Sequence, residues 1–416
     1  MSGLRFAMLT TFYPPYHFGG DAMGVRRLSQ ALVRRGHHVT VIHDGDAYAL
    51  LAGREPDARP AEDEIEVITL RSGLGALSSL LTHQTGWPVA HGARIRALMD
   101  AGRFDVTVFN NVSLLGGPGV LGMGRGVTLY VAHEHWLVCP SHVLWRHGRE
   151  ACTGRECLRC VLHYRRPPQL WRYTGYLERQ LAHVDAFIAM SEFSRKKHRE
   201  FGFGRDMAVV PCFLPDTDDA PEPAGTSPHP RPYFLFVGRL EKIKGLDDVI
   251  PVFGRFPRAD LLIAGDGEYG ESLRALAAGN PRVKFLGWVP PDQLSRYYRH
   301  ATALIVPSVC FETFGIVIIE AFRQGTPVVA RRIGPFPEIL ERAGAGDLFD
   351  TPAELEAALH SYLDESGRRA RLGRAAVDAF RANWSESTVL PKFLEVVRQA
   401  ASARGDERIA AHSPGA

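Results

Sequence analysis

Short, mostly apolar runs alternate along this chain with segments whose apolar residues recur every three or four positions. Runs such as RFAML, VTLYVA and YFLFV have the length and composition of strands covered on both faces. Between them lie segments like Val25–Arg35, with Val25, Leu28 and Leu32 on one helical face and Gly36 as the stop. This alternation predicts βαβ units and parallel sheets. Strands are expected at Arg5–Leu9, Val39–Ile42, Ile65–Leu70, Asp105–Phe109, Val127–Ala132, Ala186–Ala189 and Ala208–Val210. Leu214–Pro232 is rich in Pro, Asp and small residues and reads as a linker. A second series follows at Tyr233–Val237, Leu261–Ala264, Val283–Leu286, Ala303–Val306 and Pro327–Ala330. Pro352–Ala403 is expected to be helical throughout.

With 416 residues, the chain exceeds the roughly 250–300 that one core supports, so two domains are expected. They are drawn at 1–213, with a Cys-rich insert at 139–160, and at 233–383. Residues 214–232 form the linker, 384–403 a helix packing back towards the first domain, and 404–416 a disordered tail. The fold class is α/β: two tandem, doubly wound, Rossmann-like domains facing a central cleft. The net charge of +3 argues against a nucleic-acid binder. No apolar run reaches the roughly 18–20 residues of a membrane span. The opening MSGLRFAMLTTFYPP reads as a strand rather than a signal peptide, so a cytoplasmic setting is expected. Only six of the 49 basic residues are lysine, which makes each lysine more informative than an arginine.

Two glycine-rich segments have different contexts. Gly117–Gly122 matches GxGxxG, but only Met123–Gly126 separates it from the next strand. Four residues cannot form a crossover helix, so a surface connection is expected and a dehydrogenase is the least favoured class. Gly19-Gly20 lies between the first strand and the first helix, with Asp21 placed to cap it. Ligands approach open α/β sheets at such a point. Asp44-Gly45-Asp46 spells DxD after the second strand and reads as a solvated turn.

The strongest signal is PSVCFETFGIVIIEA, from Pro307 to Ala321. A strand ends at Pro307, a loop carries Glu312, and a helix starts near Gly315 and carries Glu320. Backbone N–H groups at Phe314 and Gly315 suit a diphosphate, and Glu320 suits a vicinal diol such as ribose. A carboxylate beside a diphosphate needs donors, which points to a hydroxyl-rich ligand. VGRLEKIKG brings Arg239 to the end of a strand and Lys244 to the next helix start, two cations for a diphosphate leaving group. VKFLGWVP ends another strand, where the backbone would meet a base edge beside Trp288.

Together with YPPYHFGGDAMGVRRLSQALVRRGHHVTVI and LLIAGDGEYG, these segments resemble the family 4 retaining glycosyltransferases of the GT-B fold across nearly the whole chain. The resemblance implies that Arg239 and Lys244 bind the donor diphosphate. Glu312 would hold donor-sugar hydroxyls, Thr313, Phe314 and Gly315 would meet the sugar or phosphate, Glu320 the ribose, and Val289 the base. Gly20 would approach the diphosphate, and His133 would stand beside the reacting sugar. Catalytic roles fall to His133, Glu312, Arg239 and Lys244. The partners implied are a nucleoside diphosphate sugar, UDP- or GDP-linked, and a hydroxyl acceptor, with no catalytic metal. His133-Glu134 and Gly334-Pro335-Phe336-Pro337-Glu338 depart from the family's His-Asp and Gly-Gly-x-Pro-Glu. A nucleotide-sugar epimerase or phosphorylase of this fold, and a non-catalytic binder, are the rival readings.

Cys139, Cys152, Cys157 and Cys160 are spaced C-x12-C-x4-C-x2-C. Cytosolic disulfides are rare, so the cluster suggests metal. Structural zinc leads, ahead of four free thiols and then an iron–sulfur cluster. HYRRPPQLWRYTGYLERQL reads as an amphipathic cover for the first domain, with a hold on a lipid-linked acceptor or peripheral contact at the inner membrane face as the rival readings.

Overall fold

A computed structural model describes residues 3–56, 64–216 and 225–411. Met1–Cys212 with Val389–Ala416 form one compact unit, and Phe213–Thr388 form another.

The first unit carries β1 (Arg5–Leu9), β2 (His38–Asp44), β3 (Glu66–Leu70), β4 (Val106–Phe109) and β5 (Val127–Ala132). A two-stranded hairpin of β6 (Trp145–Arg146) and β7 (Glu150–Ala151) follows, then β8 (Ala186–Ala189) and β9 (Met207–Val209). Apart from the hairpin these strands make one parallel sheet in the order β3-β2-β1-β4-β5-β8-β9. Chain order reverses on either side of β1. The strand-and-loop alternation predicts this because every central strand is covered on both faces: Phe6–Leu9, Val106–Phe109 and Val127–Ala132 are all buried.

The second unit repeats the plan with β10 (Tyr233–Val237), β11 (Asp260–Ala264), β12 (Val283–Gly287), β13 (Leu304–Val306), β14 (Val328–Arg331) and β15 (Gly346–Phe349). The order is β12-β11-β10-β13-β14-β15, all parallel, with the reversal at β10. Such reversals open a crevice at the carboxyl ends of the strands.

Several expectations need correction. β15 and the hairpin lie outside the expected strands. Gly117–Met123 is no surface connection: it is a buried 3₁₀ turn. A methyl group on Gly119 would come within 2.4 Å of the Trp87 ring, so the segment packs where only glycine fits. The DxD is not solvated either, since Asp44 and Asp46 are 0% and 5% exposed. The helical end is three helices, Pro352–Asp364, Arg368–Asn383 and Glu386–Arg404, broken at the left-handed Gly367 and at Trp384. Residues 404–411, expected in a disordered tail, are folded: Asp406 caps the short helix Glu407–Ala410 and Ile409 is buried. Residues 412–416, and 217–224 of the expected linker, lie outside the described residues. No helix among the described residues is long and apolar enough to cross a membrane.

Candidate functional site

In the second unit, the loops after β10 and β13 meet at the crevice. After β10 the chain passes Gly238 and Arg239 and makes a 3₁₀ turn at Lys242–Lys244. Gly245 then adopts φ +73°, and a Cβ there would sit 2.1 Å from the Pro307 carbonyl oxygen. Only glycine lets these two loops close on each other. That approach delivers Lys244 Nζ to Glu312 Oε1 at 2.9 Å, and Ser308 Oγ donates to the same oxygen at 2.6 Å. The Lys244 and Glu312 side chains keep 22% and 21% exposure, so the pair borders solvent. Burial works against both charges, yet each outweighs it for the other: Lys244 is raised and Glu312 lowered from their ordinary pKa values. An ammonium has three donors, and this contact uses one.

Arg239 Nη1 pairs with Glu241 Oε1 at 2.8 Å and stays 55% exposed. Gly315, at φ +124°, precedes the helix Ile316–Arg323, whose amino end has no side-chain cap. Ile318 N–H donates to Gly315 O at 3.0 Å, and a helix amino end of this kind suits an anion. Phe314 is buried, Thr313 is partly exposed, and Gly315 packs against the Phe336 ring. Glu320 projects from this helix and accepts from the buried Tyr298 hydroxyl at 3.1 Å, which holds one carboxylate oxygen in place. Val289 lies in the connection from β12 to the helix Pro291–His300, beside Trp288, which is 72% exposed.

The sequence reading did not assign Ser308 or Tyr298. Ser308 stood inside the quoted motif, where its proximity to Glu312 is the only signal. Tyr298 lies 22 residues from Glu320 and carried none.

Gly20 and His133 belong to the first unit. Gly20 opens the helix Gly20–Arg34. His133 follows β5, with Nε2 3.0 Å from Asn110 Oδ1. A Cβ on Gly24 would lie 3.4 Å from the His133 ring, so the ring rests against the first turns of that helix. Burial lowers the His133 pKa, against the pull of Asp21, and favours a neutral imidazole. Glu134 is bound by His142 Nδ1 at 2.7 Å.

Cys139, Cys152, Cys157 and Cys160 line one small cavity of about 20 Å³. Burial first, and neighbouring thiols after it, raise the pKa of Cys152, Cys157 and Cys160. The donor set suits zinc, but no three of these sulfurs lie within 4.8 Å of one another, wider than a tetrahedral thiolate site. In the stretch after them, Arg172 stacks on Trp136 and Trp171, while Leu170 and Tyr173 are 65% and 62% exposed.

Two family models match the chain: Glycosyltransferase Family 4 over residues 18–218, and Glycosyl transferases group 1 over 219–378. A D-inositol 3-phosphate glycosyltransferase of Corynebacterium kroppenstedtii is 34% identical over 201 residues, which is 43% of this chain and 44% of that protein. The match thus spans less than half of that relative. Among solved structures, a sucrose-phosphate synthase from Thermosynechococcus elongatus aligns with TM-score 0.70 at 19% identity, over 96% of this chain and 100% of that one. Anabaena HepE in complex with UDP-glucose aligns with TM-score 0.64 at 18% identity, over 97% and 100%.

Proposed function

This chain belongs to the family 4 glycosyltransferases of the GT-B fold, and from that premise we propose that it transfers a hexosyl unit from a nucleoside diphosphate sugar to an acceptor hydroxyl, with retention and without a catalytic metal. The observation that carries this reading is the convergence of Lys244, Glu312 and Ser308 beside the uncapped helix end at Gly315.

In this reading Lys244 turns its unused donors, and Arg239 its exposed guanidinium, towards the diphosphate. The N–H groups at Phe314 and Gly315 add a fixed positive field. These groups stabilise the charge that grows as the anomeric bond breaks through an oxocarbenium-like state, the role a metal plays elsewhere. Thr313 meets the sugar or phosphate. Glu312, held by Lys244 and Ser308, presents its remaining lone pairs to sugar hydroxyls. Glu320 takes the ribose diol and Val289 the base. The acceptor attacks from the face the diphosphate leaves, and a phosphate oxygen assists removal of its proton. Gly20 at the diphosphate and His133 at the transferred sugar complete the assignment. The likeness to a UDP-glucose complex makes UDP the first base to test, with GDP second. Glycans, lipid-linked saccharides and small natural products are the acceptor classes. A cytoplasmic setting, contact with the inner membrane face through the surface around Leu170 and Tyr173, and a structural zinc whose binding would draw the four cysteine sulfurs closer together belong to the same proposal.

Thermal melting with UDP, GDP, dTDP and ADP, each with EDTA present, tests the donor site. One nucleotide at 100 times its Kd should stabilise by about 2.7 kcal/mol, and Arg239→Ala should lose that shift. No response to any of them at millimolar concentration would remove the donor-site reading. Sugar products formed without an acceptor would instead favour an epimerase or phosphorylase.

A further inference from the structure

At the end of β2, three side chains converge that glycosyl transfer does not use. Asp44, Asp46 and His91 are 0%, 5% and 2% exposed, and one ligand atom of each lies within 4.8 Å of the others. His91 Nε2 stands 3.3 Å from Asp46 Oδ2 and 3.7 Å from Asp44 Oδ1. His91 Nε2 and Asp44 Oδ2 are both buried and make no hydrogen bond.

The carboxylates are fixed by other groups. Asp44 Oδ1 accepts from the Asp46 and Ala47 N–H groups at 2.9 and 3.0 Å. Asp46 Oδ2 accepts from Ser72 N and Oγ at 2.9 and 2.6 Å. Their orientation therefore does not depend on His91, and the open atoms Asp44 Oδ2 and His91 Nε2 remain to be explained.

Charge and spacing give the explanation. Two carboxylates with a neutral imidazole leave two negative charges in a dry site, and a proton on His91 would cancel only one. Uncompensated buried charge is costly. Ligands bound at about 2.0–2.2 Å around one tetrahedral ion lie roughly 3.3–3.6 Å apart, close to the 3.3 and 3.7 Å from His91 Nε2 to Asp46 Oδ2 and Asp44 Oδ1.

We propose that the first unit holds a divalent cation on Asp44, Asp46 and His91. Mixed oxygen and imidazole ligands select a first-row ion, zinc ahead of manganese. The ion would be structural. It would tie the end of β2 and the helix Gly45–Ala52 to the residue preceding the helix Gly92–Gly102, with Ser72 bracing Asp46 from the loop after β3.

The test uses full-length protein in which Cys139, Cys152, Cys157 and Cys160 are serine, so that thiolates cannot supply the metal. After dialysis against Zn²⁺, elemental analysis should find one equivalent per chain. Saturation should raise the melting temperature by roughly 5–10 °C, reversibly with EDTA. Adding His91→Gln should abolish both effects while far-UV circular dichroism is retained. Should the serine protein not fold, wild type and His91→Gln are compared directly, and the variant should hold one equivalent less. Absence of bound Zn²⁺ and Mn²⁺ from the folded serine protein, or an undiminished count in His91→Gln, overturns the proposal. The cluster would then be an imidazolium between two carboxylates. Neither outcome depends on nucleotide binding.

Discussion

Each unit places a pair of acidic side chains at or beyond the carboxyl end of a parallel strand, and the two pairs live in opposite surroundings. Glu312 and Glu320 border solvent and have donors already in place, Lys244 and Ser308 for one and Tyr298 for the other. Asp44 and Asp46 are sealed in, held by backbone N–H groups and Ser72, with His91 facing both. A polar substrate can exchange with water at the first pair. The second pair is shut off from such exchange. Acidic pairs near strand ends of the two units thus acquire different chemistry through exposure and counter-charge, not through the carboxylates themselves.

The contrast can be broken at several points. Lys244→Ala should have the largest effect: loss of a fixed positive group at the leaving phosphate should lower turnover by about 10²–10³, with the fold intact by circular dichroism. A turnover within threefold of wild type would remove Lys244 from the reaction. Gly245→Ala should cost about 2–4 kcal/mol in denaturant unfolding, because a Cβ would strike the Pro307 carbonyl at a left-handed backbone position. The same assay on Gly344→Ala, also left-handed but with nothing within 4 Å, should show only about 1 kcal/mol.

Acid should separate the units next. Burial holds His43 and His198, both in the first unit, at a pKa of about 4. Their folded pKa lies below the unfolded value of 6.5, so the unfolded chain binds more protons between those limits. Stability is full above pH 6.5 and declines as pH falls towards 4. By pH 5 each histidine should have cost about 2 kcal/mol. Calorimetry should show the first unit losing stability over this window, and His198→Phe should flatten its slope. The smallest effect belongs to Ser308→Ala. It removes one neutral donor from Glu312 and should change the donor KM or turnover by severalfold, about 1 kcal/mol.

Much of the fold was legible because buried parallel strands write themselves as apolar runs. β15 escaped because Gly346-Asp347-Leu348-Phe349 carries only two apolar side chains. The hairpin at Trp145–Ala151 escaped because two-residue strands have no period to detect. The Glu312–Glu320 segment could be read as a candidate donor site because strand, loop and helix follow one another without interruption. The burial of Asp44 and Asp46 could not be read, since it depends on Ser72 and His91, brought in from other loops. A DxD at a turn looks the same whether water or a folded wall faces it.

The discontinuity of the first unit has a consequence for synthesis. Val389–Ala416 groups with the first 212 residues: Arg404 reaches Asp185 at 3.1 Å, Arg408 pairs with Asp105, and Ile409 is buried. Domains generally fold as they emerge from the ribosome. Here the part made first stays unfinished until Val389–Ala416 leave the exit tunnel, whereas Phe213–Thr388 is complete earlier. A chain truncated after residue 388 and released would therefore present a complete second unit and a first unit missing its closing segment.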